Sequence, residues 1–394
     1  MKEILLSFSL LVLLKVSFAQ TKFSLNQGRA GQTNYFSSIP YESINEKLII
    51  KVTIKGKEYR FLLDTGAPTI ISSELFNELN LDIVSKMAIR DANGVKDSLS
   101  IVLVKDLKIG EILFQNIPTM VSKQNIIFEC FNVDGFIGSN LLRNSIVQFN
   151  SSTKNIIITN DQKKLILNKK QSSELFLLDS QSSPYIWVKL KNKKQVREQL
   201  LFDTGMNGLY DLSLNNLGFF QKHETFETIA KSNGSNSLGY FGIAKDTTHY
   251  RLLLPIMEIN RAKLLNVTTQ TTRGNCSRIG SKLLEYGVVT IDYTKRKFYF
   301  APYFKLKRDI SHKHWPIDIY PFNNQIFIGF IWDTSLIGRI TKGDQITAVD
   351  GINYENINLC DLLTKEFIFK DKDKLILTTK NNKGEITETT IERK

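Results

Sequence analysis

Phe61 to Ile70 reads FLLDTGAPTI. Three apolar residues run straight into Asp64, followed by Thr65 and Gly66. Burying a lone carboxylate is unfavourable, so an acid at the end of an apolar strand needs a reason. A single case is explained by a strand that stops at a turn. Here the pattern recurs 139 positions on, where Leu200 to Tyr210 reads LLFDTGMNGLY and places Asp203, Thr204 and Gly205 behind a second apolar run.

Two further landmarks follow each acid. Ile89 to Ser100 reads IRDANGVKDSLS, with Asn93-Gly94 at its centre; Thr228 to Ser237 reads TIAKSNGSNS, with Asn233-Gly234 at its centre. Asn-Gly is a strong hairpin signal, so both pairs are expected at turns, as flaps over the acids. From Asp64 to Gly94 is 30 residues, and from Asp203 to Gly234 is 31. The pattern Ile-Gly-Ser-x-Leu-Leu then occurs at Ile137-Gly138 and at Ile279-Gly280, 74 residues after the first aspartate and 77 after the second, counted to the glycine. Three landmarks in one order at matched spacing indicate an internal duplication. The surrounding runs, rich in Ile, Val and Phe with turn residues between them, read as strands.

Two carboxyls on equivalent loops are brought face to face by a pseudo-two-fold axis. Held close together they cannot both ionise, so they share one proton. One is then a base and the other an acid at the same pH, enough to activate a water against an amide and to protonate the leaving nitrogen. Such chemistry needs no cofactor and no metal. In this picture Thr65 and Thr204 hydrogen-bond backbone across the axis. Gly66 and Gly205 let N–H groups approach the carboxylates. The two Ile-Gly elements pack beneath the Asp loops, where glycine allows close backbone approach.

These residues resemble those of the aspartic peptidases, in particular the retropepsin-like type found in exported bacterial proteins. The likeness covers roughly residues 44–302 and rests on Asp-Thr-Gly after an apolar strand, a hairpin, and an apolar-apolar-Gly element, each present twice. It implies a mainly β fold with two pseudo-symmetric lobes, residues 44–178 and 179–302, and peptide-bond hydrolysis by Asp64 and Asp203. One departure stands out: the first Asp-Thr-Gly is followed by Ala67, the second by Met206, where the family prefers Ala, Ser or Thr. Met offers no hydroxyl to the outer carboxylate oxygen. The first hairpin also lacks the Tyr of pepsin-like flaps. A non-catalytic peptide-binding protein that keeps the cleft is therefore the alternative reading.

Residues 303–316 form a basic, aromatic connector, and residues 317–394 a third unit. The stretch Lys342-Gly-Asp-Gln-Ile-Thr-Ala-Val-Asp-Gly351 resembles the core of bacterial PDZ modules, which bind an extended chain end by adding a strand. A small PDZ-like β/α domain with a peptide ligand is the implication, although a carboxylate-binding Gly-Leu-Gly-Phe loop is missing.

The rest of the chain sets the context. It has 394 residues, 42% hydrophobic and 23% charged, an ordinary globular composition. The net charge of +13 comes from scattered lysines, with no nucleic-acid-binding motif, so no nucleic-acid partner is expected. Ile4 to Leu14 is an 11-residue uncharged run after Lys2, with small Ser17 and Ala19 before Gln20. This is the pattern of a signal peptide over residues 1–19, and the run is too short to span a membrane. Residues 20–43 read as a loose polar arm. Export, to a bacterial periplasm or the exterior, is expected; of the four Asn-x-Ser/Thr sites, Asn150, Asn233, Asn266 and Asn275, one lies in a candidate flap, where a glycan is awkward. Of three cysteines, Cys130 and Cys276 are the expected bridge, leaving Cys360. His312 and His314 form a weak metal pattern. The expected partners are a peptide or protein substrate, and a duplicated chain completes its own site as a monomer.

Overall fold

The computed structural model describes residues 23–90, 96–123, 126–235, 238–239, 242–243, 246–365, 369 and 372–394. The signal-peptide stretch and Asn93-Gly94 lie outside the described residues. The protein is mainly β. A nine-stranded and a fourteen-stranded sheet account for the duplicated region, and a six-stranded sheet for the third unit.

The same local unit is built twice. In the first repeat the strands Lys47–Ile54 and Lys57–Asp64 form a hairpin, with Ile49 opposite Leu62. In the second, Ser183–Lys191 and Gln195–Asp203 do the same, with Tyr185 opposite Leu201. Each Asp strand then takes a parallel partner from far along the chain. Gly135–Gly138 lies beside the first, with Gly138 level with Asp64. Arg278–Gly280 lies beside the second, with Gly280 level with Asp203. Strands buried on both faces read as unbroken apolar runs, which is why Phe61, Leu62 and Leu63 precede the acid without alternation. One apolar core passes through both repeats, and Phe202 of the second meets Phe149 of the first edge-on at 6.1 Å between ring centroids.

The polar arm is a correction. Phe36–Pro40 is a strand that pairs with Asn155–Thr159, and Tyr35, Ile39 and Tyr41 are buried. Its counterpart in the second repeat is Ser172–Leu178, which pairs with Lys297–Pro302. Alternate residues of FSSIP point inward, so a polar composition hides a half-buried strand. Leu25 is buried as well.

The third unit carries antiparallel strands at Ile317–Phe322, Gln325–Ile331, Gln345–Val349, Lys374–Lys380 and Ile386–Glu392, and a helix at Leu359–Thr364. Gly343 and Gly351, with φ of 88° and 77°, make the turns at each end of the Gln345–Val349 strand. The unit touches both repeats. Ser232 of the second repeat accepts the Ile331 N–H at 3.1 Å, and Leu363 packs against the apolar cluster of the first repeat that holds Phe128 and Phe136.

The disulfide is a second correction. Cys130 bonds Cys360, with Cα atoms 4.5 Å apart, and Cys276 remains a thiol. Cys130 lies on the helix Ile126–Phe131, which meets the Leu359–Thr364 helix of the third unit. Cys276 lies in the second repeat, where its sulfur accepts the Tyr185 hydroxyl at 3.5 Å. Spacing along the chain gave no measure of that distance in space. Among the described residues, no helix is long and apolar enough to cross a membrane.

Candidate functional site

The two Asp-Thr-Gly loops meet at the centre of the core. Both threonines are fully buried, and their hydrogen bonds cross from one loop to the other. Thr65 Oγ1 donates to the Phe202 carbonyl at 2.6 Å and accepts the Thr204 N–H at 3.0 Å. Thr204 Oγ1 donates to the Leu63 carbonyl at 2.8 Å and accepts the Thr65 N–H at 3.0 Å. Each hydroxyl thus serves a donor and an acceptor that would otherwise be buried unpaired, which fixes the loops in one relative position.

The glycines explain themselves by what stands next to them. A Cβ on Gly66 would lie 2.5 Å from Asp203 Cγ, and one on Gly205 would lie 2.2 Å from Asp64 Oδ2. Each carboxylate is therefore seated against the glycine of the opposite loop. Each glycine also donates its N–H to its own aspartate, Gly66 to Asp64 at 2.9 Å and Gly205 to Asp203 at 3.0 Å. Gly138 and Gly280 sit against the loops from beside the Asp strands, where a Cβ would meet Ala67 O at 2.4 Å and Met206 O at 2.5 Å. Ile137 and Ile279 are wholly buried next to them.

The carboxyls of Asp64 and Asp203 face one another, each seated against the glycine of the opposite loop. Burial and the charge of Asp203 push Asp64 up to about 7, against the opposing pull of Lys47. The size of the effect is reasonable. Two unit charges about 4 Å apart repel by roughly 4 kcal/mol at an effective dielectric of 20, enough to retain one proton near neutral pH.

Two cations flank the pair, and sequence reasoning named neither. The Lys47 ammonium donates to the Gly205 carbonyl; burial pulls its pKa down, against the attraction of Asp64 and Asp203. Arg278 reaches Asp203 Oδ2 with Nη1 at 3.3 Å and Asp211 Oδ2 with Nη2 at 2.9 Å. The place beside the outer oxygen of Asp203, where a Ser or Thr after the glycine would put a hydroxyl, is filled by this guanidinium. Met206 instead turns its side chain into the protein, and its carbonyl accepts both the N–H and the hydroxyl of Ser281 at 3.0 Å. The signal for Arg278 was available, because it directly precedes the second Ile-Gly element where the first copy has Phe136.

The second Asn-Gly pair is not a turn. Asn233 and Gly234 lie inside the strand Glu227–Gly234, opposite Thr248 and Thr247. Pairing is seen further on as well, with Leu238 opposite Ile243 and Gly239 opposite Gly242. Gly234 is pressed on the third unit, where its Cβ would come within 1.9 Å of the Gly329 carbonyl oxygen. Glycine is placed there for backbone contact between units rather than for a turn conformation. In the first repeat the Ile83–Arg90 and Lys96–Ile109 strands pair up to Arg90 opposite Lys96, and the expected tip at Asn93-Gly94 falls outside the described residues.

Among curated proteins, none matches the chain. Among solved structures, a retropepsin-like aspartic protease from Rickettsia conorii is similar at 16% identity, over 32% of this chain and 94% of that one, with a TM-score of 0.26. At the level of sequence families, residues 50–144, which hold Asp64-Thr-Gly and Ile137-Gly138, match the family described as "gag-polyprotein putative aspartyl protease".

Proposed function

We propose that the protein is an aspartic endopeptidase whose two carboxyls, Asp64 and Asp203, hydrolyse peptide bonds with a water held between them. One observation carries the reading: two Asp-Thr-Gly loops, locked by crossed threonine bonds, seat each carboxyl against the glycine of the opposite loop. The family match over residues 50–144 supports it. The ionised carboxylate takes a proton from water as the oxygen attacks the amide carbon. The protonated partner supplies the proton that the substrate oxygen gains. The first carboxyl then passes its proton to the nitrogen as the C–N bond breaks, and its partner regains one from the gem-diol. The chain works as an exported, bilobal, single-chain enzyme of bacterial type, and its PDZ-like third unit holds substrate or partner peptides beside the second flap strand.

The second reading, a peptide binder without turnover, draws on Arg278, whose ion pair occupies the outer oxygen of Asp203. One experiment separates the two. An unbiased peptide library is incubated with the protein, with Asp64→Asn and with Asp203→Asn, and products are read by mass spectrometry. Cleavage abolished in both variants is the expected result. Cleavage that survives in either removes the shared dyad. A folded wild type that binds peptides and cuts none leaves the binder.

A further inference from the structure

The backbone treats the two aspartates alike, but their surroundings do not. Arg278 stands on the strand beside Asp203, level with Leu201. Phe136 holds the corresponding place beside Asp64, level with Leu62, and stacks on Phe128 at 4.9 Å between centroids. The same seat therefore offers a permanent cation to one acid and an uncharged ring to the other. The Arg278 side chain is only 15% exposed, so its field is weakly screened by water. Its planar fork serves Asp203 and Asp211 together, which fixes its orientation.

We infer that Arg278 is a positioning residue that keeps Asp203 as the ionised, water-activating member of the dyad and leaves the shared proton on Asp64, a role that rests on the peptidase reading above. Water then gives its proton to Asp203 as its oxygen bonds the amide carbon, while Asp64 protonates the carbonyl oxygen. In the second step Asp203 passes its proton to the nitrogen, the C–N bond breaks, and Asp64 recovers a proton from the gem-diol. Both acids end as they began, and the net change is one amide and one water to one acid and one amine.

The remaining charged groups do not reverse this order. Lys47 attracts Asp64 more than Asp203 and so opposes Arg278, but its hydrogen bond goes to the Gly205 carbonyl, whereas Arg278 is bonded to Asp203 itself. Asp211 is held by Arg278 itself. Burial pushes the Cys276 thiol and the Tyr185 phenol upward, which keeps both neutral in the working range. Asp179 and Glu46 add negative charge further out and act through Tyr185 and Lys47.

The test uses the full chain with carbon-13 in its aspartate carboxyls, titrated by NMR from about pH 3 to about pH 8, with Asp64→Asn and Asp203→Asn to assign the two signals. Asp203 is expected to ionise first. In Arg278→Met the two titrations should converge, and the acid limb of kcat/KM should rise by roughly one pH unit, about a tenfold loss near pH 4 and under about twofold near pH 7. Arg278→Lys should recover part of the difference. Because Arg278→Met strands Asp211, Asp211→Asn/Arg278→Met is measured beside it. An unchanged separation of the two titrations in both variants, or Asp64 ionising first in the wild type, overturns the assignment whether or not peptides are cut. Ordered titration in a chain that cuts no peptide retains the effect of Arg278 on the pair and removes only the peptidase reading.

Discussion

The parallel strand beside the first Asp loop is apolar, and the one beside the second carries a cation. Beside Asp64 stand Ala67 and Phe136; beside Asp203 stand Met206 and Arg278. Register adds a second difference, in the opposite sense. Ile49 faces Leu62, so Lys47 falls level with Asp64, whereas Tyr185 faces Leu201, so Ser183 falls level with Asp203. Backbone geometry, the crossed threonines and the paired glycines are nevertheless repeated almost without change. The difference separates two requirements. The scaffold must be symmetric to bring two acids together, and the chemistry must be asymmetric to make one of them the acid. A duplicated chain can vary the side chains of each half independently, which two copies of one short chain cannot.

The largest expected effects break the symmetric part. Asp64→Asn and Asp203→Asn should each lower cleavage by roughly a thousandfold or more, since either change removes one of two proton-transfer groups. Equal losses on such different flanks would show that the pair acts as a unit. Next come Gly66→Ala and Gly205→Ala, whose Cβ atoms would enter the opposite carboxylates. Each should destabilise by about 3 kcal/mol in urea unfolding. Gly218→Ala, in the helix Leu214–Lys222 with nothing within 4 Å, is the control and should stabilise by about 0.5–1 kcal/mol.

Thr65→Val and Thr204→Val should each cost about 2–3 kcal/mol, because each strands a buried N–H and a buried carbonyl. A double-mutant cycle should show strong coupling, since the second change removes bonds of the same network. The pH dependence tests the asymmetric part. The carboxyl of Asp64 is raised from 3.8 to about 7 on folding, so between those values the native chain holds a proton that the unfolded chain has lost. Stability should therefore fall as pH rises through that window, and Asp64→Asn should remove this slope. Cleavage should likewise decline above about pH 7, once the pair has lost its shared proton. The smallest effect is expected from Met206→Ala, which copies the first loop. It should leave the acid limb within about 0.3 pH unit of the wild type, because Arg278, not residue 206, attends Asp203.

Much of this arrangement was legible because it is written in short, repeated words. Asp-Thr-Gly and Ile-Gly each carry a backbone demand that few other residues meet, and their order along the chain gives the duplication. Other features have no such mark. The strand Phe36–Pro40 escaped because two serines and a proline depress its apolar content, although alternate residues are buried. Cys130 and Cys360 are 230 residues apart, and nothing local joins them. Asn233-Gly234 misled because the preference of Asn-Gly for tight turns is one use of glycine among several, and here contact with Gly329 is the use. Lys47 and Arg278 lie in strands whose neighbours are apolar. Their significance appears only when the two copies are set side by side, residue against residue.

The bond between Cys130 and Cys360 closes a covalent ring that contains the whole second Asp loop and the exposed connector around Leu306 to Asp309. Topologically, the backbone there is redundant. A single cut anywhere between the two sulfurs adds a chain end but not a second particle, and the halves separate only when the disulfide is also reduced. A chain nicked in that exposed connector can thus still hold both aspartates in one molecule.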